Sequence, residues 1–248
     1  MPFKLFLFSD LHYSPNQSIN TRNCSESLHK TDQIIDIINS CDLCIQLGDL
    51  INGTGNREKD FIALSEVKSK LDNLGFYHIL GNHDAFALGK YQFSHSKSNI
   101  DYTYSFRFRD TDFIFLDANY TCDGKDYSPR HGDWRESFIP EYELEWLKSK
   151  LDNSNGAIVC CHQNLDDRPG DPHIIRNAAD IRKLLEASGK VKYVFCGHYH
   201  PGYDSTISGI RYHTLPAMCE GNTIPYCIAE VSSFDNINIV DFCDKLNN

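Results

Sequence analysis

A chain of 248 residues suits one large domain or two small ones, and a hydrophobic content of 41% is ordinary for a soluble globular protein. The formal net charge of −10 argues against a duplex-gripping surface, because non-specific nucleic-acid affinity comes from Lys and Arg neutralising phosphates. A small anionic substrate stays open, since bound cations reverse the local field. No stretch approaches the roughly 20 apolar residues of a membrane span, and the apolar run after Lys4 is too short for a secretory signal. Together these features predict a cytoplasmic protein whose ten cysteines stay reduced, with Cys160, Cys161 and Cys196 buried as free thiols.

In chain order, residues 3–8 read as the first strand. After a loop rich in Ser and Asn, Leu28, Ile34, Ile35, Ile37 and Ile38 predict a helix with one apolar face. Residues 41–47 form the second strand. Phe61, Ile62, Leu64, Val67 and Leu71 recur at helical spacing over 57–73, and a third strand follows at 76–80. This alternation implies parallel strands with right-handed crossovers. The period then drops to two, with Tyr102, Tyr104, Phe106 and Phe108 alternating with polar residues. Asp110-Thr111-Asp112 turns this strand into 113–116, a hairpin. Residues 117–140 are irregular, and a loop that long inside a compact domain is usually functional. Helices are expected over 141–151 and 174–187, and strands ending at His162 and Cys196, with a second polar loop at 163–173. Three apolar runs near 210–215, 225–231 and 237–242, with no helices between them, predict an antiparallel close. No repeat or linker interrupts the chain, so residues 1–248 read as one domain.

The strand ends carry the chemistry. Five apolar runs finish in Asp10-Leu11-His12, Gly48-Asp49, Gly81-Asn82-His83-Asp84, His162 and Gly197-His198-Tyr199-His200. In an open α/β sheet the carboxyl ends of neighbouring strands line one crevice, so these side chains can converge although the outermost are far apart in sequence. Taken alone, Asp10 or Asp49 reads equally well as a turn residue, and His162 as a hydrogen-bonded core histidine. Taken together, the eight side chains of Asp10, His12, Asp49, Asn82, His83, His162, His198 and His200, stranded at strand ends, would violate the rule that buried polar groups are paired. Cys41-x-x-Cys44 lacks a second pair, Gly53-Thr54-Gly55 lacks the Lys of a phosphate loop, and His29, His78, His95 and His213 read as surface or core residues.

The motif set, in this order and after strands, resembles the calcineurin-like metallophosphoesterase superfamily, and the resemblance runs from residue 10 to residue 200. It implies a mixed α/β fold, a four-layer α/β/β/α sandwich of two mixed β-sheets flanked by helices. Position by position it puts Asp10, His12 and His200 on one metal ion and Asn82, His162 and His198 on a second, with Asp49 bridging. Imidazole, carboxylate and amide oxygen suit Mn²⁺, Fe or Zn²⁺, and seven ligands are too many for one ion. The same resemblance makes His83 the group that stabilises or protonates the departing oxygen, with Asp84 placed to orient it.

The implied activity is hydrolysis of a small phosphate ester, a nucleotide or phosphodiester, by in-line attack of a metal-bound hydroxide. A phosphomonoesterase or protein phosphatase, a nuclease and a non-catalytic metal-binding scaffold are the alternatives, and oligomeric state is left open. In many small-molecule diesterases of this group the ligand histidine precedes His and Pro, whereas Gln163 and Asn164 follow His162. Some of Asn119, Tyr120, Arg130, His131 and Trp134 in one loop, with Arg168 and His173 in the other, are expected to contact the leaving group of the substrate.

Overall fold

The structure is a computed structural model that describes residues 1–15, 18–90, 102–129, 131–167, 170 and 172–245. The apolar runs at Phe3–Phe8 (β1), Leu43–Gln46 (β2) and Phe76–His78 (β3) pair in parallel, as the strand–helix alternation requires. Thr223–Ser233 (β10) adds antiparallel to β1, and Asn236–Lys245 (β11) adds antiparallel to β10. This gives a five-stranded sheet of order β11-β10-β1-β2-β3. A second sheet comprises Tyr104–Phe108 (β4), Thr111–Leu116 (β5), Ala157–Cys161 (β6), Val191–Cys196 (β7), Tyr203–Ile207 (β8) and Ile210–Thr214 (β9), in the order β4-β5-β6-β7-β9-β8.

Successive side chains on a strand point to opposite faces, so a strand buried on both sides reads as a continuous apolar run. Leu5, Leu7, Ile45, Phe113, Phe115, Ile158 and Phe195 fill the layer between the two sheets. The outward face of the first sheet, with Phe6, Phe8 and Cys44, packs under four helices: Ser27–Gln33 (α1), Ile35–Asn39 (α2), Arg57–Asn73 (α3) and Asn82–Leu88 (α4). The outward face of the second, with Ile114, Val159 and Val194, packs under Glu141–Asp152 (α5) and Ala178–Ser188 (α6). Three cores between four layers give the expected α/β/β/α sandwich.

Four local readings change. The helix expected across Leu28–Ile38 is two, because Ile34 leaves the helical region at φ −117°. On α3, Ala63, Leu64, Val67 and Leu71 face the core while Phe61 and Ile62 stay half exposed, so the buried stripe is rotated from the one expected. The third strand stops at His78, and Asn82-His83-Asp84 opens α4. Its start is fixed by Asp84, whose carboxylate accepts the Gly81 N–H at 3.1 Å, a capping bond three residues on. Finally β9 pairs parallel with β7, and β8, which the sequence reading passed over, lies antiparallel outside it. Ser208 and Gly209 both adopt positive φ, which a two-residue hairpin turn needs. The antiparallel close therefore holds for β10 and β11 alone.

All ten cysteines are free thiols, and no helix among the described residues is long and apolar enough to cross a membrane. One buried charge ties a helix to the far end of the chain. Lys30, fully buried on α1, donates to the carbonyls of Met218 (2.6 Å), Glu220 (3.2 Å) and Gly221 (2.9 Å). Lys30→Met leaves these acceptors unpaired and is expected to cost about 2–3 kcal/mol in denaturant unfolding, through the penalty for buried unsatisfied groups.

Candidate metal centre

The five motifs lie at the carboxyl ends of β1, β2, β3, β6 and β7, and backbone bonds fasten one to the next. The Asp10 N–H donates to the Gly48 carbonyl (3.1 Å), that of His12 to Asp49 (2.9 Å) and that of Gly197 to His162 (3.0 Å). The side chains then converge. Asp49 Oδ2 lies 3.3 Å from His12 Nε2 and 3.3 Å from His162 Nε2, while its Oδ1 accepts the His83 N–H at 2.8 Å. Asp10 Oδ1 is 3.5 Å from both His12 Nε2 and His200 Nε2, and its Oδ2 accepts the His198 N–H at 3.0 Å. The Nε2 atoms of His12 and His200 are 3.2 Å apart. Ligand-type atoms of Asp49, His162 and His198 lie within 4.8 Å of one another. Two groups result, Asp10–His12–His200 and Asp49–His162–His198, with the Asp49 carboxylate reaching both.

Three rings are anchored through Nδ1, so that Nε2 is the atom each turns away from its anchor. A carbonyl or carboxylate accepts only, so Nδ1–H donates to Leu47 O from His162 (2.7 Å), to Glu220 from His200 (2.6 Å) and to Asn52 O from His83 (2.6 Å). Close approach also explains the glycines. A Cβ on Gly81 would run into the backbone nitrogen and carboxylate of Asp49. One on Gly48, whose φ is +93°, would meet the His162 ring. Asp10, His12, Asp49 and His198 all adopt positive φ, the left-handed region that costs residues with side chains about 1–3 kcal/mol each. Strain gathered on four converging side chains points to a function for them.

Charge follows the same plan. Burial pushes His12 down to about 4 and His198 well below its ordinary value, so both present lone pairs at neutral pH. Burial opposes ionisation of Asp10 and Asp49, but the surrounding imidazoles hold both carboxyls below the usual range. Burial would lower His162, yet Asp49 and Asp10 outweigh it and lift that ring to about 9. Asp10 Oδ1, Asn82 Oδ1, His162 Nε2 and His198 Nε2 are buried without a hydrogen-bond partner among the described residues. Buried acceptors left unpaired are costly, and a donor set of imidazole, carboxylate and amide oxygen with unused lone pairs fits divalent cations. Six of the seven expected ligand residues thus converge in a way that suits a pair of ions, and the seventh, Asn82, is buried beside Gly81 with its Oδ1 unpaired among the described residues.

The remaining expected residues divide. The His83 ring stands 4.5 Å from that of His12, at the edge of the cluster. Asp84 does not orient it: its two oxygens accept from the backbones of Ile51 and Gly81, at 3.1 Å each, and Asn52 takes the orienting place. Burial and the Asp49 charge raise the Asp84 carboxyl to about 7. Asn119 is fully buried, its amide nitrogen donating to Leu80 and Asp117 and its oxygen accepting from Gln163, which leaves no polar atom for a substrate. Tyr120 points at Glu143, with the Lys90 ammonium 3.1 Å from its ring centroid. His131 is exposed and closes a turn with Ser128 through its backbone. Trp134 and His173 do reach the cluster, their rings 5.7 Å and 5.4 Å from that of His198. Arg130 and Arg168 lie outside the described residues.

Two neighbours escaped the sequence reading. Glu220 steadies His200, and the buried Cys219 thiol sits within 4.8 Å of the His12 and His200 nitrogens, held protonated chiefly by burial. Neither belongs to a motif; both reach the site because the backbone N–H groups of Met218 and Cys219 donate to the Ser9 and Asp10 carbonyls, and Lys30 holds the same segment from the other side.

Residues 3–202 match the calcineurin-like phosphoesterase family model. The chain belongs to the calcineurin-like phosphoesterase family. This family is dinuclear and metal-dependent. A dimetal phosphatase from Danio rerio shares the fold, with a TM-score of 0.82 at 20% identity over 98% of each chain. The purple acid phosphatase of yellow lupin does so at a TM-score of 0.69 and 12% identity, over 97% of this chain and 51% of its own. In sequence, the 3',5'-cyclic adenosine monophosphate phosphodiesterase of Escherichia coli is 29% identical over 102 residues, 39% of this chain and 35% of the relative. The match therefore spans about a third of that curated relative.

Two measurements follow from the geometry. Gly81→Ala displaces Asp49 and is expected to lower affinity for Mn²⁺ by about 10–100-fold in a folded protein, read by metal titration and circular dichroism. The second is a pH effect. A group with a raised pKa stabilises the fold in full below its ordinary value and loses that contribution as pH rises through the raised one. The Tm of the chelated protein should therefore fall between pH 6.5 and about 9 as His162 loses its proton. The metal-loaded protein, whose coordinated imidazole carries no such proton, should lack that slope in a thermal-shift series.

Proposed function

We propose that this chain, acting as one domain over residues 1–248, hydrolyses a small phosphate ester, a nucleotide or phosphodiester in preference to a monoester. One observation carries the reading: the Asp49 carboxylate oxygen equidistant from His12 and His162, which gives two cation positions a shared ligand. Asp10, His12 and His200 would hold one ion and Asn82, His162 and His198 the other, with Mn²⁺, Fe or Zn²⁺ as the fitting metals. When bound, the pair supplies Lewis acidity for the phosphoryl oxygens and makes water nucleophilic at neutral pH.

The chain's own residues do the rest. His83, with Nδ1–H committed to Asn52, offers Nε2 to hold the proton that passes to the departing oxygen as the bond to phosphorus breaks. Asp84 braces the backbone between Gly81 and Ile51, which keeps His83 at the cluster edge. Trp134 and His173 wall the side next to His198 and offer aromatic faces to a base or other leaving group. Likeness to a cyclic-nucleotide phosphodiesterase over part of the chain supports the diester preference. Gln163, occupied by Asn119 where many diesterases have histidine, marks a different wall beside the second ion.

Protein purified without chelator and supplied with Mn²⁺ is expected to turn over bis-p-nitrophenyl phosphate faster than p-nitrophenyl phosphate. His83→Ala should cut kcat by about 10²–10⁴-fold with metal content unchanged. Preference for the monoester would overturn the diester reading. A protein with its full metal complement that cleaves neither ester would be a metal-binding scaffold.

A further inference from the structure

We propose that His213, Cys227 and Asp241 form a further cation site, for Zn²⁺, that fastens β9 of one sheet to β10 and β11 of the other and shares no residue with the catalytic cluster. The placement comes from strand register. Asp204 and His213 are directly opposed on β8 and β9, and Cys227 and Asp241 are directly opposed on β10 and β11. Opposed residues project to the same face with Cβ atoms close together, and these two pairs meet across the inter-sheet layer. That layer is otherwise apolar around them, with Phe195, Leu215, Ala229 and Ile237. His213 and Cys227 are buried, and the half-exposed Asp241 opens a path from solvent. The ligand-type atoms of the three residues lie within 4.8 Å of one another.

Hydrogen bonding around the ring leaves Nε2 needing either a second proton or a bound cation. His213 Nδ1 is 3.0 Å from Asp204 Oδ2, and Nε2 is 2.9 Å from Asp241 Oδ1. A neutral imidazole carries one N–H and can donate to only one of them. Asp204, held by the Arg211 guanidinium, is fixed in place to accept the Nδ1–H. The Nε2 lone pair then faces a carboxylate oxygen and a thiol, three donors turned toward one point. A carboxylate steadying the far nitrogen of a ligand imidazole is the usual support of a zinc histidine, and Glu220 stands in the same relation to His200. Nitrogen, sulfur and oxygen donors together favour Zn²⁺ over Mg²⁺ or Ca²⁺, with water in the fourth position. Burial and the charge on Asp241 keep the Cys227 thiol protonated without an ion, so binding releases that proton.

The test uses the full chain, saturated with Zn²⁺, cleared of loose ion by gel filtration and analysed for metal. Cys227→Ser should carry about one equivalent less than the wild type, whereas Cys122→Ser, at an exposed thiol outside both clusters, should match it. Asp241→Asn, at a solvent-facing position, should lose the same equivalent and serves where the serine variant folds poorly. The readout is a difference, so it does not depend on how many ions the catalytic cluster takes. With Co²⁺ in place of Zn²⁺, a near-ultraviolet thiolate-to-metal absorption should vanish in Cys227→Ser and persist in Cys122→Ser. Equal zinc in the wild type, Cys227→Ser and Asp241→Asn, or a cobalt band removed by Cys219→Ser alone, would overturn the proposal. The cluster would then be a protonated histidine between two carboxylates.

Discussion

A buried carboxylate shared by imidazoles from opposite sheets is the constraint on which the rest of this molecule depends. Asp49 follows β2, His12 follows β1 of the same sheet, and His162 follows β6 of the facing one. Taking these groups out of water is expensive unless each is paired and oriented, and the local structure is arranged to orient them. The backbone between Gly48 and Asn52 is gripped by Asp10, His12, Tyr13 and Asp84, and no Cβ is tolerated at Gly48 or Gly81.

That arrangement carries its own strain. Four of the converging residues sit in the left-handed backbone region, and several buried polar atoms lack partners among the described residues. Both features make sense in a centre whose stabilisation comes partly from cations and only partly from the protein. Support comes from a distance as well. Lys30 on α1 gathers three carbonyls of residues 218–221, and the same short segment brings Glu220 to His200. A helix on the outside of the first sheet therefore steadies a ligand that follows a strand of the second.

The convergence of these side chains was legible in sequence because parallel strands bring their carboxyl ends together, so short apolar runs ending in Asp, Asn or His mark the crevice without knowledge of the packing. The four-layer architecture was legible because strands buried on both faces read as unbroken apolar runs. What sequence could not carry was the direction of individual side chains. Asn119 looked available, yet Gln163 and Leu80 consume it. Asp84 looked like a partner for His83, but a helix begins at Asn82 and turns that carboxylate to backbone amides. Glu220, Cys219 and the group around His213 depend on elements distant in sequence meeting in space, and no local pattern announces such meetings. The Ser208-Gly209 turn was a readable sign of β8, passed over because the run before it is only weakly apolar.

The indole of Trp134, set against His198 and His173, gives the molecule an optical property. The chain has two tryptophans. The other, Trp146, lies on α5 beside the Lys150 ammonium and outside the crevice. Emission from the first is exposed to quenching by neighbouring imidazoles and by whatever enters beside them, while the second provides a steady background. Occupancy of the cleft is thereby written into the intrinsic fluorescence, so ligand entry can be followed in real time without a label.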